Sequence, residues 1–217
     1  AMKKIIFQGD SITDASRSRD KDFNRGYGFA TMVTGILGSR FPGEYTFLNR
    51  GVGGNRIADI KERNAREVIA KKPDYVSFLA GVNDVWYYLD KPGGFNKAEY
   101  RNCLEDTISE MKKALPTLKI IMLEPFVLPG SNTGEAGSDK YRRFRAYTEQ
   151  CAEISKNTAE KFGCVYVKLQ KMLDNAANTG GSAYWLMDGI HPTSPAHYLI
   201  ALKWAEAFET NFLKDRE

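Results

Sequence analysis

Ile5, Ile6 and Phe7 form a short unbroken apolar run that stops at Gly9. A strand with one wet face alternates apolar and polar residues. An unbroken run belongs instead to a strand covered on both faces, the pattern of parallel sheets. The chain must therefore bring helices to both sides of this strand. Gly9-Asp10-Ser11 then turns the chain. A serine just past the carboxyl end of a central strand stands where open α/β sheets gather their ligands. Ser11 is a candidate nucleophile; on this stretch alone, capping a following helix is the alternative.

The rest of the chain alternates in the same way. Apolar stretches at 45–49, 75–80, 118–123 and 164–167 are expected to be further strands, each ending at a turn or loop. Residues 28–41, 55–71 and 138–162 carry helical patterns, and Pro73 ends the second of them. Asn96 with Glu99 predicts a capping box for a helix over 96–115, and Ser194-Pro195 opens a closing helix. Five strands alternating with helices predict an α/β fold with three layers, α/β/α, around a five-stranded parallel sheet. No linker, repeat or low-complexity tract divides residues 1–217, so one domain is expected.

A serine hydroxyl is a poor nucleophile without a base, and histidine is the side chain suited to that task near neutrality. The chain has only two histidines, and His191 lies three residues after Asp188 in a loop punctuated by Gly189, Pro192 and Pro195. His191 is the candidate base and Asp188 the candidate group that orients the imidazole. Alone, this spacing also fits a surface or packing histidine.

Four blocks in order carry a resemblance. They are Gly9-Asp10-Ser11-Ile12, Asn49-Arg50-Gly51-Val52-Gly53-Gly54-Asn55, Gly81-Val82-Asn83-Asp84 and Asp188-Gly189-Ile190-His191-Pro192. On these the chain resembles the SGNH hydrolases, or GDSL-type esterases, with Ile12 where the family's name has leucine. The resemblance implies a flavodoxin-like strand order and a catalytic triad of Ser11, His191 and Asp188. It also implies an oxyanion hole made by the Ser11 and Gly54 N–H groups and the Asn83 amide. Read without it, Asn83 would cap a turn with Asp84. Gly26-Tyr27-Gly28, Lys72 to Ser77, Asn83-Asp84-Val85-Trp86 and His197 after His191-Pro192 are together similar to the bacterial acetylxylan esterases and xylo-oligosaccharide deacetylases of this superfamily.

That subgroup implies an acetylated sugar as substrate. Asp10, inside the first block, and Trp86, Tyr184 and Trp185, beside the third and fourth, are the candidate substrate-binding residues, the aromatic rings being equally suited to the core. Asp14, Arg17 and Arg56 are candidates to brace the site. Other small acyl esters, lipid-derived acetyl groups, thioesters and a catalytically silent carbohydrate-binding role are the alternatives. The Gly-x-Ser-x-Gly elbow of the other large esterase class is missing around Ser11. No cofactor is expected, and no cluster has metal-ligand spacing.

The net charge of +4 is mild, and the one dense basic run, Lys140 to Arg145, opens a helix without an aromatic partner pattern. It is read as a solvated face, so no nucleic-acid partner is expected. Cys103, Cys151 and Cys164 are widely spaced and read as reduced thiols. Met2 after Ala1 reads as an expression scar, and Lys3-Lys4 leads into too short an apolar run for a signal peptide. With no stretch long enough to span a bilayer, no membrane partner is expected and a cytoplasmic protein is. Self-association through exposed apolar helix faces is left open.

Overall fold

The computed structural model describes residues 1–213; residues 214–217, the tail of the expected domain, lie outside the described residues. Strand β1 (Lys3–Gly9) runs into a one-turn helix α1 (Ser11–Asp14). Helix α2 (Phe29–Arg40) leads to β2 (Tyr45–Asn49), and α3 (Ile57–Glu67) leads back to β3 (Tyr75–Leu79). Helices α4 (Val82–Tyr88) and α5 (Lys97–Ala114) precede β4 (Lys119–Leu123), and α6 (Asp139–Lys161) precedes β5 (Val165–Val167). Helices α7 (Gln170–Ala177), α8 (Ser182–Trp185) and α9 (Ser194–Phe212) follow.

The strands form one parallel sheet in the order β2-β1-β3-β4-β5. The chain thus winds outward from β1 to one edge and then from β3 to the other, and β1 and β3 lie side by side at the switch point. Loops leaving the carboxyl ends of two such strands diverge and open a crevice between them. Helices α2 and α9 pack together on one face, and α3, α5 and α6 on the other. The expected α/β/α architecture and strand order are those observed.

The unbroken apolar character of β1 has the predicted consequence, since Ile5, Ile6 and Phe7 are completely buried. Phe7 meets the edge of Phe29 at 5.9 Å and Trp204 at 5.7 Å, and Trp204 stacks on Phe208 at 5.2 Å. Leu104, Ile108 and Met111 of α5 and Phe144 of α6 are buried on the other side. Each such side chain contributes roughly 1.5–3 kcal/mol by leaving water.

Three details differ from the sequence expectation. The helix over 55–71 is broken: α3 ends at Glu67, and a 3-10 turn (Ile69–Lys71) follows, closed by Lys72 at φ 50°. The following proline disfavours right-handed helical backbone at Lys72 and forces the exit. Asn96 does cap α5, accepting from Glu99 N at 3.1 Å. The Glu99 carboxylate does not complete the box, because it accepts from Tyr88 Oη and from the Asn96 side chain. The short helices α1, α4, α7 and α8 lie in stretches read as loops.

The basic run of α6 is largely paired. Arg142 meets Asp139, Arg143 meets Asp90 at 3.0 Å, and Arg145 forks onto both Asp174 oxygens at 2.8 Å. Among the described residues no helix is long and apolar enough to cross a membrane.

His197, on α9, is 1% exposed and accepts the Phe29 N–H on Nδ1 at 3.0 Å. Burial, reinforced by nearby His191, pushes its pKa down from 6.5 to about 4. The folded state therefore holds the neutral ring while the unfolded chain takes up a proton, so this contribution is whole above the unfolded value and is lost as pH falls from 6.5 towards 4. The loss is on the order of 3 kcal/mol. We expect His197→Gln to be less stable than the parent at pH 7.5 and to lose clearly less stability than the parent between pH 7 and pH 4. Urea denaturation at both pH values measures this; parallel losses in both proteins would contradict it.

Candidate active site

Ser11 does not cap the helix it begins. Asp10 holds that position, accepting the Ile12 N–H on Oδ1 at 3.0 Å. Ser11 is the first helical residue, and its Oγ lies 2.9 Å from His191 Nε2. On the other side of the ring, His191 Nδ1 is 2.6 Å from Asp188 Oδ2. Residues 180 positions apart in the chain are thus brought into a continuous hydroxyl–imidazole–carboxylate array. In such an array the carboxylate holds the proton on Nδ1 and leaves Nε2 free to accept one from the hydroxyl.

The aspartate is itself fixed. Asp188 Oδ1 accepts the N–H groups of Ile190 at 2.9 Å and His191 at 2.8 Å, and Oδ2 accepts Asn132 Nδ2 at 2.9 Å. Burial pushes this carboxyl up, but the His191 N–H, the His191 ring and the Ile190 N–H outweigh burial and hold it below the usual range. It stays an acceptor of hydrogen bonds at neutral pH. Asn132 carried no sequence signal, because its partner lies 56 residues away and nothing local marks the pairing.

The second and third blocks come together beside Ser11. Gly54 has φ +79°, a conformation that suits glycine, with open space where a side chain would be. The Ser11 and Gly54 N–H groups have no acceptor among the described residues. Asn83 lies in the first turn of α4 rather than in a loop. It does not cap the helix: its Nδ2 donates to Asn55 O at 3.1 Å. An amide nitrogen carries two N–H groups, so one remains for a ligand.

Several charged side chains hold these segments in register. Gly51 passes so close to α1 that a methyl group there would strike Asp14 N. Asp14 accepts Gly53 N at 3.0 Å and Arg19 at 2.5 Å, and Arg17 Nε donates to Gly51 O at 2.7 Å. Arg63, which the sequence reading missed, donates to Gly9 O at 3.0 Å, Arg50 O at 2.7 Å and Asn55 Oδ1 at 2.7 Å. Burial lowers its pKa to about 10, so it remains a cation beneath the site. Arg56 lies over the Tyr87 ring at 3.8 Å.

Four expected substrate-binding residues fall in three kinds of place. Trp86, 38% exposed, lines a recess of about 280 Å³ with Gly54, Arg56, Asn83 and Tyr87. Tyr184 and Trp185 line neither this recess nor the one at Ser11. Their carbonyls accept the Thr193 hydroxyl, and Trp185 Nε1 donates to Thr179 O, so they tie the His191 loop to its surroundings. Asp10 is corrected outright, because at 1% exposure no ligand reaches it. The recess at Ser11 and His191, about 390 Å³, is lined instead by Asp14, Arg17, Arg19 and Tyr27.

Asp10 Oδ2 has no hydrogen-bond partner among the described residues, and burial raises the Asp10 pKa to about 6, while Asp84 is raised to about 7 for the same reason. A carboxyl whose folded value lies above its unfolded value contributes stability below pH 4 that is lost as pH rises through the folded value. Asparagine at position 10 retains the acceptor for Ile12 and cannot ionise. We therefore expect Asp10→Asn to be more stable than the parent at pH 8, by on the order of 3 kcal/mol, with the difference gone below pH 4. Urea unfolding at pH 8 and pH 3.5 checks this; a less stable variant at pH 8 would contradict it.

Comparison with known proteins places the chain in a family. The model of the GDSL-like lipase/acylhydrolase family matches residues 7–199. The chain belongs to this family. An acetylxylan esterase of Geobacillus stearothermophilus is 30% identical over 221 residues, covering 99% of this chain and 97% of the relative. The crystal structure of Axe2, an acetylxylan esterase from that organism, superposes with a TM-score of 0.82 at 29% identity over 94% of this chain and 93% of that one. LAE5, an α/β hydrolase enzyme from the metagenome of Lake Arreo, has a TM-score of 0.82 at 28% identity, covering 95% of each chain. As a GDSL-type protein, the chain is a carboxylic ester hydrolase.

Proposed function

We propose that this hydrolase removes acetyl groups from small carbohydrates, acetylated xylo-oligosaccharides above all, through an acyl-serine intermediate. The hydrogen-bonded array Ser11 Oγ–His191–Asp188, with separations of 2.9 and 2.6 Å, carries the reading. His191 Nε2 takes the Ser11 proton as Oγ attacks the ester carbonyl, and Asp188 stabilises the imidazolium that forms. The developing oxyanion is met by the N–H groups of Ser11 and Gly54 and the spare N–H of Asn83. The alcohol leaves with the proton from Nε2; water, deprotonated by the same nitrogen, then releases acetate.

The choice of acetylated sugar is supported by the full-length similarity to an acetylxylan esterase and by the small, polar recess at Ser11 with the half-exposed Tyr27 ring on its wall. An aromatic face with a polar edge suits a sugar ring. The test is acetate release from acetylated xylo-oligosaccharides beside p-nitrophenyl acetate and a long-chain ester. Rapid release from the sugars with little action on the long ester is expected. Hydrolysis of the synthetic acetate alone would remove the sugar assignment and leave the esterase.

A further inference from the structure

An ester held at Ser11 divides into an acyl half and an alcohol half. The nitrogen that takes the serine proton returns it to the departing oxygen, so the alcohol must lie on the side of His191 Nε2. Ser11 and His191 share the recess of about 390 Å³, whereas Gly54 and Asn83 line the other. The first is therefore the alcohol side, and a volume of that size holds a sugar or two.

Its charge is one-sided. Asp14, the carboxylate on its wall, is already committed to Gly53 N, Arg17 N and both terminal nitrogens of Arg19. Arg50 nearby is committed to Asp22 and Glu67. Arg17 is different. Its Nε donates to a carbonyl, one terminal nitrogen reaches Ser18 O only at 3.3 Å, and it has no carboxylate partner among the described residues. Among the described residues Arg63 beneath likewise donates only to neutral acceptors. Partial burial and the Arg19 and Arg50 charges lower the Arg17 pKa, and the pull of Asp14 and Glu67 does not offset them, so an incoming anion relieves the site. A neutral alcohol gains little from such a wall, whereas a carboxylate can take a charge-assisted bond from the unused edge of a guanidinium.

We propose that Arg17 makes the alcohol recess selective for acetylated sugars that carry a carboxylate, uronate-type sugars, with the carboxylate on the free Arg17 edge and the ring against Tyr27. This rests on the sugar-ester reading above. The reaction is unchanged: the Ser11 Oγ–acetyl bond forms, the bond from acetyl carbon to sugar oxygen breaks, and the Nε2 proton passes to that oxygen. Arg17 takes no part in those steps and acts on which alcohol is held.

Monoacetates of methyl glucuronoside and methyl glucoside, esterified at the same hydroxyl, differ only in the carboxylate. The expected ratio of their kcat/KM values favours the glucuronoside by about tenfold at low salt, the worth of one charge-assisted hydrogen bond of ordinary strength. That ratio shrinks at high salt, falls to near one in Arg17→Gln, and is largely kept in Arg17→Lys. Using the ratio cancels any general loss from the missing Gly51 contact, and thermal melting confirms that each variant is folded. Equal rates on the two sugars, or a preference that survives in Arg17→Gln, would overturn the proposal alone. Hydrolysis of p-nitrophenyl acetate with no action on either sugar would overturn it together with the sugar reading.

Discussion

Replacing Asp188 with asparagine is expected to lower the kcat of acetate release about ten-thousandfold while leaving the fold intact. The local hydrogen bonds dictate the direction. Two backbone N–H groups point at Oδ1, so the amide oxygen of an asparagine takes that place and its NH2 group falls where Oδ2 now faces His191 Nδ1. A donor there demands an acceptor at Nδ1. The ring proton then moves to Nε2, which presents a hydrogen to Ser11 and can no longer take one. The same NH2 group also opposes Asn132 Nδ2, which loosens the loop further. Steady-state kinetics on p-nitrophenyl acetate check this, and a loss smaller than tenfold would show that the carboxylate does not set the tautomer.

Ser11→Ala is expected to cost more, about a millionfold in kcat, because removing the attacking group disables the array as a unit. Stability is expected to stay close to that of the parent. Asp10, not Ser11, satisfies the first turn of α1, and the serine hydroxyl is hydrogen-bonded to the partly exposed His191 ring. Unfolding midpoints together with kcat separate these two effects. A variant that is inactive because it is unfolded would show that Ser11 has a structural role the hydrogen bonds do not reveal.

Much of the fold can be read from residues alone because its strands announce themselves. Ile5-Ile6-Phe7 and the buried Tyr75–Leu79 strand are apolar runs ended by loops, and α5 and α6 are long enough to repeat their pattern over several turns. Helices of four to eight residues, such as α1, α4, α7 and α8, complete too few turns for periodicity to separate them from loops. Asn83 was consequently expected in a loop although it lies on α4.

The site was legible to a different depth at each residue. Ser11, Asp188 and His191 sit in short blocks whose residue types already fit one chemistry. Asn132 and Arg63 matter through partners far along the chain, and no spacing rule reports such contacts. Asp10 failed for a physical reason: an aspartate beside a serine looks like a polar ligand contact, and only the tertiary fold shows that it is sealed in with a raised pKa. Tyr184 and Trp185 show that aromatic residues next to a catalytic block serve as loop anchors as readily as sugar platforms: the Trp185 indole and both carbonyls hold the loop, while the Tyr184 ring stays exposed.

In the proposed mechanism Ser11 Oγ attacks the substrate under the control of His191. Treatment with a fluorophosphonate, followed by peptide mass analysis alongside residual esterase activity, tests it most directly. One adduct per chain is expected, located on Ser11, with activity lost in proportion to labelling and no adduct in Ser11→Ala. An adduct on another residue that tracks the loss of activity, or full activity in a chain quantitatively modified at Ser11, would contradict it.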